Sequence, residues 1–266
     1  MIQRGHMRLQ ALYSGIILFL FCFLASPAKA VELNFNTEEF PPFNYSEEGI
    51  LLGPSVEILR RICLEMKITC NVQSRPWRQA EIEVRIGKVQ GIFVLAKTEK
   101  LEKWLSFSPP LLKTEYGFFV RKSDSLRFKN LTDLVGYRVG VYGPSDTSKY
   151  LNQLIEQMKN RRLPPFSTYT AYDEFLIFRM LDFGRRKIKA VYSNRDVGKA
   201  LAKKFGFNNI RYAGASKHLN YYIAFSKAHT DPALVRQFNQ TFRKLHRERV
   251  IHQILKKYRL RAAKLD

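Results

Sequence analysis

Cysteine, acidic residues and long apolar stretches are all scarce in this chain of 266 residues. It has three cysteines, and only 23 Asp and Glu stand against 45 Lys and Arg. After residue 30 no apolar run is long enough to span a bilayer, so we expect no membrane-spanning helix there. The shortage of acid leaves a formal net charge of +22, which directs attention to anionic partners.

The one conspicuous apolar run lies at the start of the chain and has the three parts of a secretory signal. Arg4 and Arg8 supply the positive beginning, residues 11–25 the apolar stretch, and residues 28–30 (Ala-Lys-Ala) the small residues of a cleavage site. The pattern predicts that residues 1–30 are a cleaved signal peptide. The rest of the chain, beginning at Val31, is then expected in the periplasm.

The cysteines divide into one that leaves with the signal and two that remain. Cys22 stands between two phenylalanines, without the small residues expected before a lipidated cysteine. Cys63 and Cys70 lie close together where a helix gives way to a strand, and in an oxidising compartment they are predicted to form a disulfide. Two thiols with no histidine nearby make a poor zinc site, and the spacing is not that of a CxxC redox pair.

The positive charge has two interpretations. It could attract the protein to anionic lipids, polyanions or an acidic partner, or it could be a scattered and solvated basic surface. The basic residues are spread along the whole chain, and no motif that interleaves them with aromatic residues appears. Together with the predicted export, this argues against a nucleic-acid partner.

Strand and helix patterns alternate along the chain. This order predicts an α/β fold with mainly parallel sheets and helices on both faces. Two such units, joined near residue 120 and again near residue 223, would leave a cleft between two lobes, where small ligands often bind. Residues 210–213 and 221–225 are predicted as separate strands.

Residues 32–45, ELNFNTEEFPPFNY, place a strand directly before a proline-stiffened aromatic loop. Side chains at the carboxyl end of a strand line the ligand sites of open α/β sheets, which makes Glu38, Phe40, Phe43 and Tyr45 candidates. The alternative is a loop that packs its own aromatic rings, and this segment alone does not decide between the two.

The order of several segments resembles the bacterial family 3 extracellular solute-binding proteins, the periplasmic receptors of polar amino-acid ABC transporters. The matching segments are TEEFPPFNY, GPSVEILRRI, SFSPPLLKTEYGFFVRK, LTDLVGYRVGVYGPS and the closing QILKKY, within residues 31–260. The resemblance implies a two-lobed type II periplasmic-binding-protein fold. Lobe 1 would comprise residues 31–119 and 224–266, lobe 2 residues 120–223, and Tyr116–Lys122 and Tyr221–Lys227 would be hinge strands.

The residues that read an amino acid in this family match poorly. Thr98 is present, but Leu101 stands where the family has the arginine that holds the ligand carboxylate, and leucine cannot make that bidentate contact. Asn194 stands where an aspartate usually takes the ligand ammonium group. Ordinary α-amino-acid binding is therefore not predicted unless other residues take these parts.

Other candidates could contact a ligand. Arg78, after Trp77, could hold an anion at a helix start, or Trp77 could pack in the core with Arg78 solvated. The loop 143–148 could cradle an anion at a helix N-terminus, or Ser145 or Asp146 could simply cap the helix. Phe40, Phe43, Tyr45 and Tyr116 could form aromatic walls. The predicted ligand-binding set is Glu38, Phe40, Phe43, Tyr45, Trp77, Arg78, Thr98, Tyr116, Tyr142, Ser145 and Asn194.

The combined prediction is a monomeric periplasmic solute-binding protein that captures a small polar ligand, amino-acid-like or another small anion. Its implied partners are the membrane subunits of an ABC transporter or a sensor protein. An alternative is a non-transport protein that senses or docks on an envelope partner. A lower alternative is a dehydratase-like enzyme on the same fold. No catalytic residue, cofactor or metal is predicted, because no Gly-x-Ser-x-Gly, metal triad or phosphate loop appears.

Overall fold

The computed structural model describes residues 31–265, and the chain from Glu32 onward forms one compact unit. The signal peptide prediction lies outside the described residues. The strands are β1 Glu32–Thr37, β2 Tyr45–Glu47, β3 Ile50–Leu52, β4 Thr69–Ser74, β5 Gly91–Ala96, β6 Leu105–Phe107, β7 Leu112–Arg121, β8 Arg138–Tyr142, β9 Ser167–Ala171, β10 Ala190–Asn194, β11 Ile210–Ser226 and β12 Arg261–Ala262. The helices are α1 Pro54–Glu65, α2 Trp77–Arg85, α3 Glu99–Glu102, α4 Asp146–Asn160, α5 Glu174–Asp182, α6 Arg195–Phe205, α7 Pro232–Arg247 and α8 Val250–Lys257, with 3-10 turns at Leu131–Leu134 and Arg185–Lys187.

Most strands belong to one curled sheet in the order β4-β1-β5-β11-β7-β10-β8-β9. The outer pairs β4–β1, β1–β5, β10–β8 and β8–β9 are parallel, as the alternating pattern predicts. The two long central strands β7 and β11 pair antiparallel with each other and with their neighbours. We call β4, β1 and β5 with their helices the β1 half, and β10, β8 and β9 with theirs the β8 half.

Helices cover both faces of the sheet. In β10, Tyr192 packs in one core cluster with Leu151 of α4, and its neighbour Val191 packs in another with Phe178 of α5. Successive strand residues point to opposite faces, so α4 and α5 lie on opposite sides of the β8 half. The β1 half is built the same way, with a large core beside α1, α7 and α8 on one face and a smaller one beside α2 on the other.

The strand β11 corrects one expectation. Residues 210–213 and 221–225 are parts of a single strand of 17 residues that pairs with β7 from Ile210 to Tyr221. The polar run Ser216-Lys217-His218 hides this continuity, because it lacks the alternation of apolar and polar residues that identifies a half-buried strand. Ladder hydrogen bonds to β7 hold this stretch, and the register shifts twice along it.

The predicted disulfide is confirmed: Cys63 near the end of α1 is bonded to Cys70 in β4, with 6.1 Å between their Cα atoms. Cys63 is buried in the larger core of the β1 half. The bridge therefore fastens the outermost strand of that half to a helix that packs on the sheet. Within residues 31–265, no helix is long and apolar enough to cross a membrane.

Candidate functional site

The carboxyl ends of strands from the two halves meet at Tyr221. In β11, Tyr221 pairs with Ala96, the last residue of β5, and on its other side with Leu112 of β7. Its hydroxyl accepts a hydrogen bond from Nδ2 of Asn194, the last residue of β10, at 3.3 Å. Since ligands of open α/β sheets bind outside the carboxyl ends of strands, this meeting point is the candidate site.

Six aromatic rings surround this point, and we call them the cleft aromatic group. Phe40 and Phe43 approach the Tyr221 ring edge-on, with centroids at 5.8 and 5.2 Å. The Tyr116 ring of β7 lies 5.6 Å from that of Tyr150 and 6.4 Å from that of Tyr192, and Tyr116 is close enough to Tyr221 to help raise the pKa of its hydroxyl. The group is Phe40, Phe43, Tyr116, Tyr150, Tyr192 and Tyr221.

Tyr116 and Tyr221 are neutral hydrogen-bonding groups at physiological pH. Burial raises the pKa of Tyr116 to about 12 and that of Tyr221 well above its usual value, because the phenolate would lose its hydration. Both therefore keep their protons. Their side chains are 4% and 3% exposed, so only a small part of each ring and hydroxyl is open to a ligand.

Charged groups of both signs stand beside the rings. The Lys217 ammonium lies 3.7 Å from the centre of the Tyr150 ring, a cation–π distance. The Glu174 carboxylate accepts a hydrogen bond from the Ser193 hydroxyl, and burial raises the pKa of Glu174. Asp146 and Glu174 both lie close enough to influence the Tyr116 hydroxyl. A positive and a negative group therefore both lie near the cleft aromatic group.

Asn194 is buried and already makes several hydrogen bonds. Its Oδ1 accepts from the backbone N–H of Asp196 at 2.9 Å and from the Thr114 hydroxyl at 3.1 Å, so Asn194 caps α6. Its Nδ2 donates to Tyr221. Asn194 thus links the end of β10 to Tyr221 of β11. It presents an uncharged amide to its surroundings rather than a carboxylate.

Glu38, Trp77 and Arg78 lie together at the start of α2. The Trp77 backbone N–H donates to Oε1 of Glu38 at 3.3 Å. The Glu38 carboxylate therefore binds an unpaired N–H at the N-terminus of α2, where negative charge is favourable. The Trp77 ring packs beside Leu101 in the smaller core of the β1 half, whereas Arg78 is exposed. Leu101 is thus part of an apolar cluster.

The remaining predicted residues occupy three separate places. Ser145 caps α4, accepting from the Ser148 backbone N–H at 3.1 Å and donating to the carbonyl oxygen of Tyr142 at 2.7 Å. Thr98 caps the short helix α3. Tyr45 begins β2 and lies near Tyr258. The pKa of Tyr258 is raised mainly by burial, and then by Glu57 and by Tyr45. The structure gathers Phe40, Phe43, Tyr116 and Asn194, four of the eleven predicted residues, around Tyr221.

The sequence patterns missed several groups at the site. Tyr150, Tyr192 and Tyr221 were not recognised as ring neighbours, nor Lys217 and Glu174 as their charged companions. Lys217 pairs with Tyr116 only because β11 is continuous, and that register was not visible in the sequence. Within the described part of the chain, no group of three or more His, Cys, Asp or Glu is arranged to hold a metal ion.

The family description "bacterial extracellular solute-binding proteins, family 3" matches residues 34–261. The chain belongs to this family. A comparison with curated protein sequences finds no match. The family is the one that the sequence segments indicate, and the periplasmic-binding-protein fold is confirmed.

Three solved structures illustrate the similarity, each at an identity that shows the fold alone. A histidine kinase sensor domain similar to periplasmic binding proteins has 18% identity and a TM-score of 0.70, covering 88% of this chain and 99% of its own. The second substrate-binding domain assigned to an amino acid ABC transporter of Streptococcus pneumoniae has 19% identity and a TM-score of 0.68 (85% and 99%). An ancestral amino-acid-binding protein, a precursor of cyclohexadienyl dehydratase, has 17% identity and a TM-score of 0.66 (85% and 94%).

Proposed function

We propose that this protein binds a small polar solute between the β1 half and the β8 half, in the periplasm, and delivers it to the membrane subunits of an ABC transporter. The observation that carries the proposal is the meeting of β5 and β10 at Tyr221, where the two strand ends face the cleft aromatic group. The rings would cover the apolar parts of the solute, and the hydroxyls would fix its orientation.

The proposed ligand carries a carboxylate and a cationic group, as an amino-acid-like solute does. Lys217 would take the part of the missing arginine and pair with the carboxylate, since its ammonium lies over Tyr150 beside the aromatic group. Glu174 would take the part of the missing aspartate and pair with the cationic group. The family's usual positions would not serve here, because Leu101 is packed among apolar residues and the Asn194 amide already caps α6 and bonds to Tyr221.

A thermal-shift screen of the purified protein tests this proposal, with a panel of amino acids, dicarboxylates, polyamines, small sugars and aromatic acids. A ligand at 100 times its dissociation constant adds about 2.7 kcal/mol of stability, which raises the melting temperature by several degrees. A panel without any hit would count against solute binding.

Variants then locate the carboxylate of any hit. We expect Lys217→Gln to weaken binding at least tenfold, and Lys203→Gln, which removes an exposed charge on α6, to leave it unchanged. If Arg78→Ala weakens binding and Lys217→Gln does not, the carboxylate is held at the start of α2 and the assignment of Lys217 is wrong.

A second candidate function is docking on an anionic envelope partner, for sensing rather than transport. It is favoured by a surface of the β8 half where exposed apolar side chains stand among arginines. Phe183 is 63% and Leu176 38% exposed, and Arg179, Arg185 and Arg186 line a hollow of about 470 Å³ with them. Salt-sensitive binding to anionic vesicles without any small ligand would favour this function.

We propose a binding protein rather than an enzyme. The dehydratase-like alternative rests on Glu174, whose raised pKa would let it donate a proton to a bound substrate. Incubation of each panel hit with the protein, followed by chromatography, separates the two functions. Product that disappears in Glu174→Gln would establish an enzyme, whereas recovery of the unchanged ligand supports binding alone.

A further inference from the structure

The face of β7 and β11 that points away from Tyr116 carries a second, differently built cavity. Three strands lie side by side there, so that Lys113 of β7 pairs with Arg261 of β12 on one side and Asn220 of β11 on the other. The next row along the strands pairs Glu115 with His218. The cavity, which we call the back pocket, has a volume of about 340 Å³ and is lined by Lys113, Thr114, Glu115, Arg195, His218, Leu219, Asn220 and Arg261.

The one acidic side chain that lines the back pocket already has its partners. Oε1 of Glu115 lies 3.0 Å from Nη1 of Arg195, and Oε2 lies 3.3 Å from Nδ1 of His218. Arg195 is buried, and it also pairs with Asp196 at 2.9 Å. Glu115 is therefore held by this network and is not directed to the other two cations of the pocket.

Lys113 and Arg261 form a pair of like charges without compensation. Both side chains are exposed, and within residues 31–265 neither makes an ion pair or a side-chain hydrogen bond. Like charges directly opposite in a sheet destabilise it, because their Cβ atoms are about 5 Å apart. This repulsion would be removed by an anion between them.

We propose that the back pocket binds a small dianion, a phosphate or a dicarboxylate, between Lys113 and Arg261. A guanidinium group matches the geometry of two carboxylate or phosphate oxygens, and an ammonium group adds a point charge beside it. The Asn220 amide, in the same row, can donate a further hydrogen bond. Lys113 and Asn220 point away from Tyr116, since neighbouring residues along a strand point to opposite faces, while Thr114 of the lining also bonds Asn194 of the candidate site.

Occupancy of the back pocket would act on the strands that join the two halves. The dianion would tie β12 to β7, and β7 and β11 lie between the two halves, where β11 pairs with β5 and β7 pairs with β10. Binding should therefore raise the stability of the whole unit. It should do so whether or not the cleft holds a solute, so the two sites are separable by experiment.

The test uses inorganic phosphate and succinate as probes with the purified protein, in thermal-shift and calorimetric titrations at constant ionic strength set by sodium chloride. We expect a saturable rise in melting temperature with at least one probe. Lys113→Gln combined with Arg261→Gln should weaken that binding at least tenfold, and single Lys113→Gln should weaken it less. The control, Lys203→Gln with Arg236→Gln, removes two exposed positive charges elsewhere and should retain it.

The outcomes separate the possible ligands. A response to phosphate alone points to a phosphorylated ligand, a response to succinate alone to a dicarboxylate, and a response to both to any dianion of this size. No saturable response in the unaltered protein, or an equal response in the Lys113→Gln, Arg261→Gln variant, would overturn the proposal. A hit from the solute panel that binds the double variant as tightly as the unaltered protein would show that cleft binding does not depend on the back pocket, so cleft binding can stand even if the phosphate and succinate titrations overturn this proposal.

Discussion

Removal of the disulfide gives the stability effect that can be worked out most directly from the structure. Cys63 and Cys70 are seven residues apart, so the bond closes a loop of about eight residues. The chain-entropy model then gives about 2.5 kcal/mol of stabilisation at 25 °C through restriction of the unfolded chain. Unfolding of roughly 235 residues carries an entropy of about 0.5 kcal/mol per degree, so the melting temperature should fall by about 5 °C.

The assay compares the unaltered protein with Cys63→Ala, Cys70→Ala by calorimetry, each with and without dithiothreitol. Reductant should lower the melting temperature of the unaltered protein toward that of the variant, and it should leave the variant unchanged. Cys63 is also buried in the core, so the variant can lose slightly more than reduction alone. An unchanged melting temperature in protein shown by mass spectrometry to be fully reduced would refute the loop-entropy argument.

Two further predictions concern buried contacts of the sheet. Glu83 accepts hydrogen bonds from Lys88 and from Asn36 of β1, and these lower its pKa from 4.5 to about 2. The stability that Glu83 contributes is therefore complete above pH 4.5 and is lost as the pH falls toward 2. Glu83→Gln should cost about 1–3 kcal/mol at pH 7 in urea unfolding, and a cost that does not shrink near pH 2.5 would contradict this assignment. Gly117→Ala should lower the free energy of unfolding by about 1–3 kcal/mol, because a Cβ there would overlap the Gly214 carbonyl oxygen and the Tyr212 hydroxyl. A neutral effect in the same urea unfolding would mean that β7 and β11 separate easily at this point.

The sequence predicts the fold well where the signals are local. The apolar spacing of α1 and the nearness of Cys63 and Cys70 each depend on a few consecutive residues, and each agrees with the structure. The continuity of β11 does not depend on local signals. Its middle, Ser216 to Asn220, is held by hydrogen bonds to β7, a strand about a hundred residues earlier, so no pattern within the segment indicates it.

The same reason limits the prediction of the site. Phe40 and Phe43 follow β1 directly, and a strand followed by an aromatic loop is visible in the sequence. Tyr221 and Lys217 reach the site only through the register of β11 with β7, which brings Lys217 opposite Tyr116. The helix cap Ser145 shows the converse, since it has the local structural function that its sequence context also allowed.

The most direct test of the proposed function is the distance between the two halves with and without a solute. Spin labels at Lys100→Cys on α3 and Asn152→Cys on α4 place one exposed probe on each half, and the Cys63–Cys70 bond stays closed. Pulsed electron resonance would measure the label separation before and after saturation with the panel ligand that gives the largest thermal shift. A solute-binding protein that closes on its ligand predicts a distance distribution that moves to shorter values. A distribution that stays the same under saturating ligand would contradict binding between the halves.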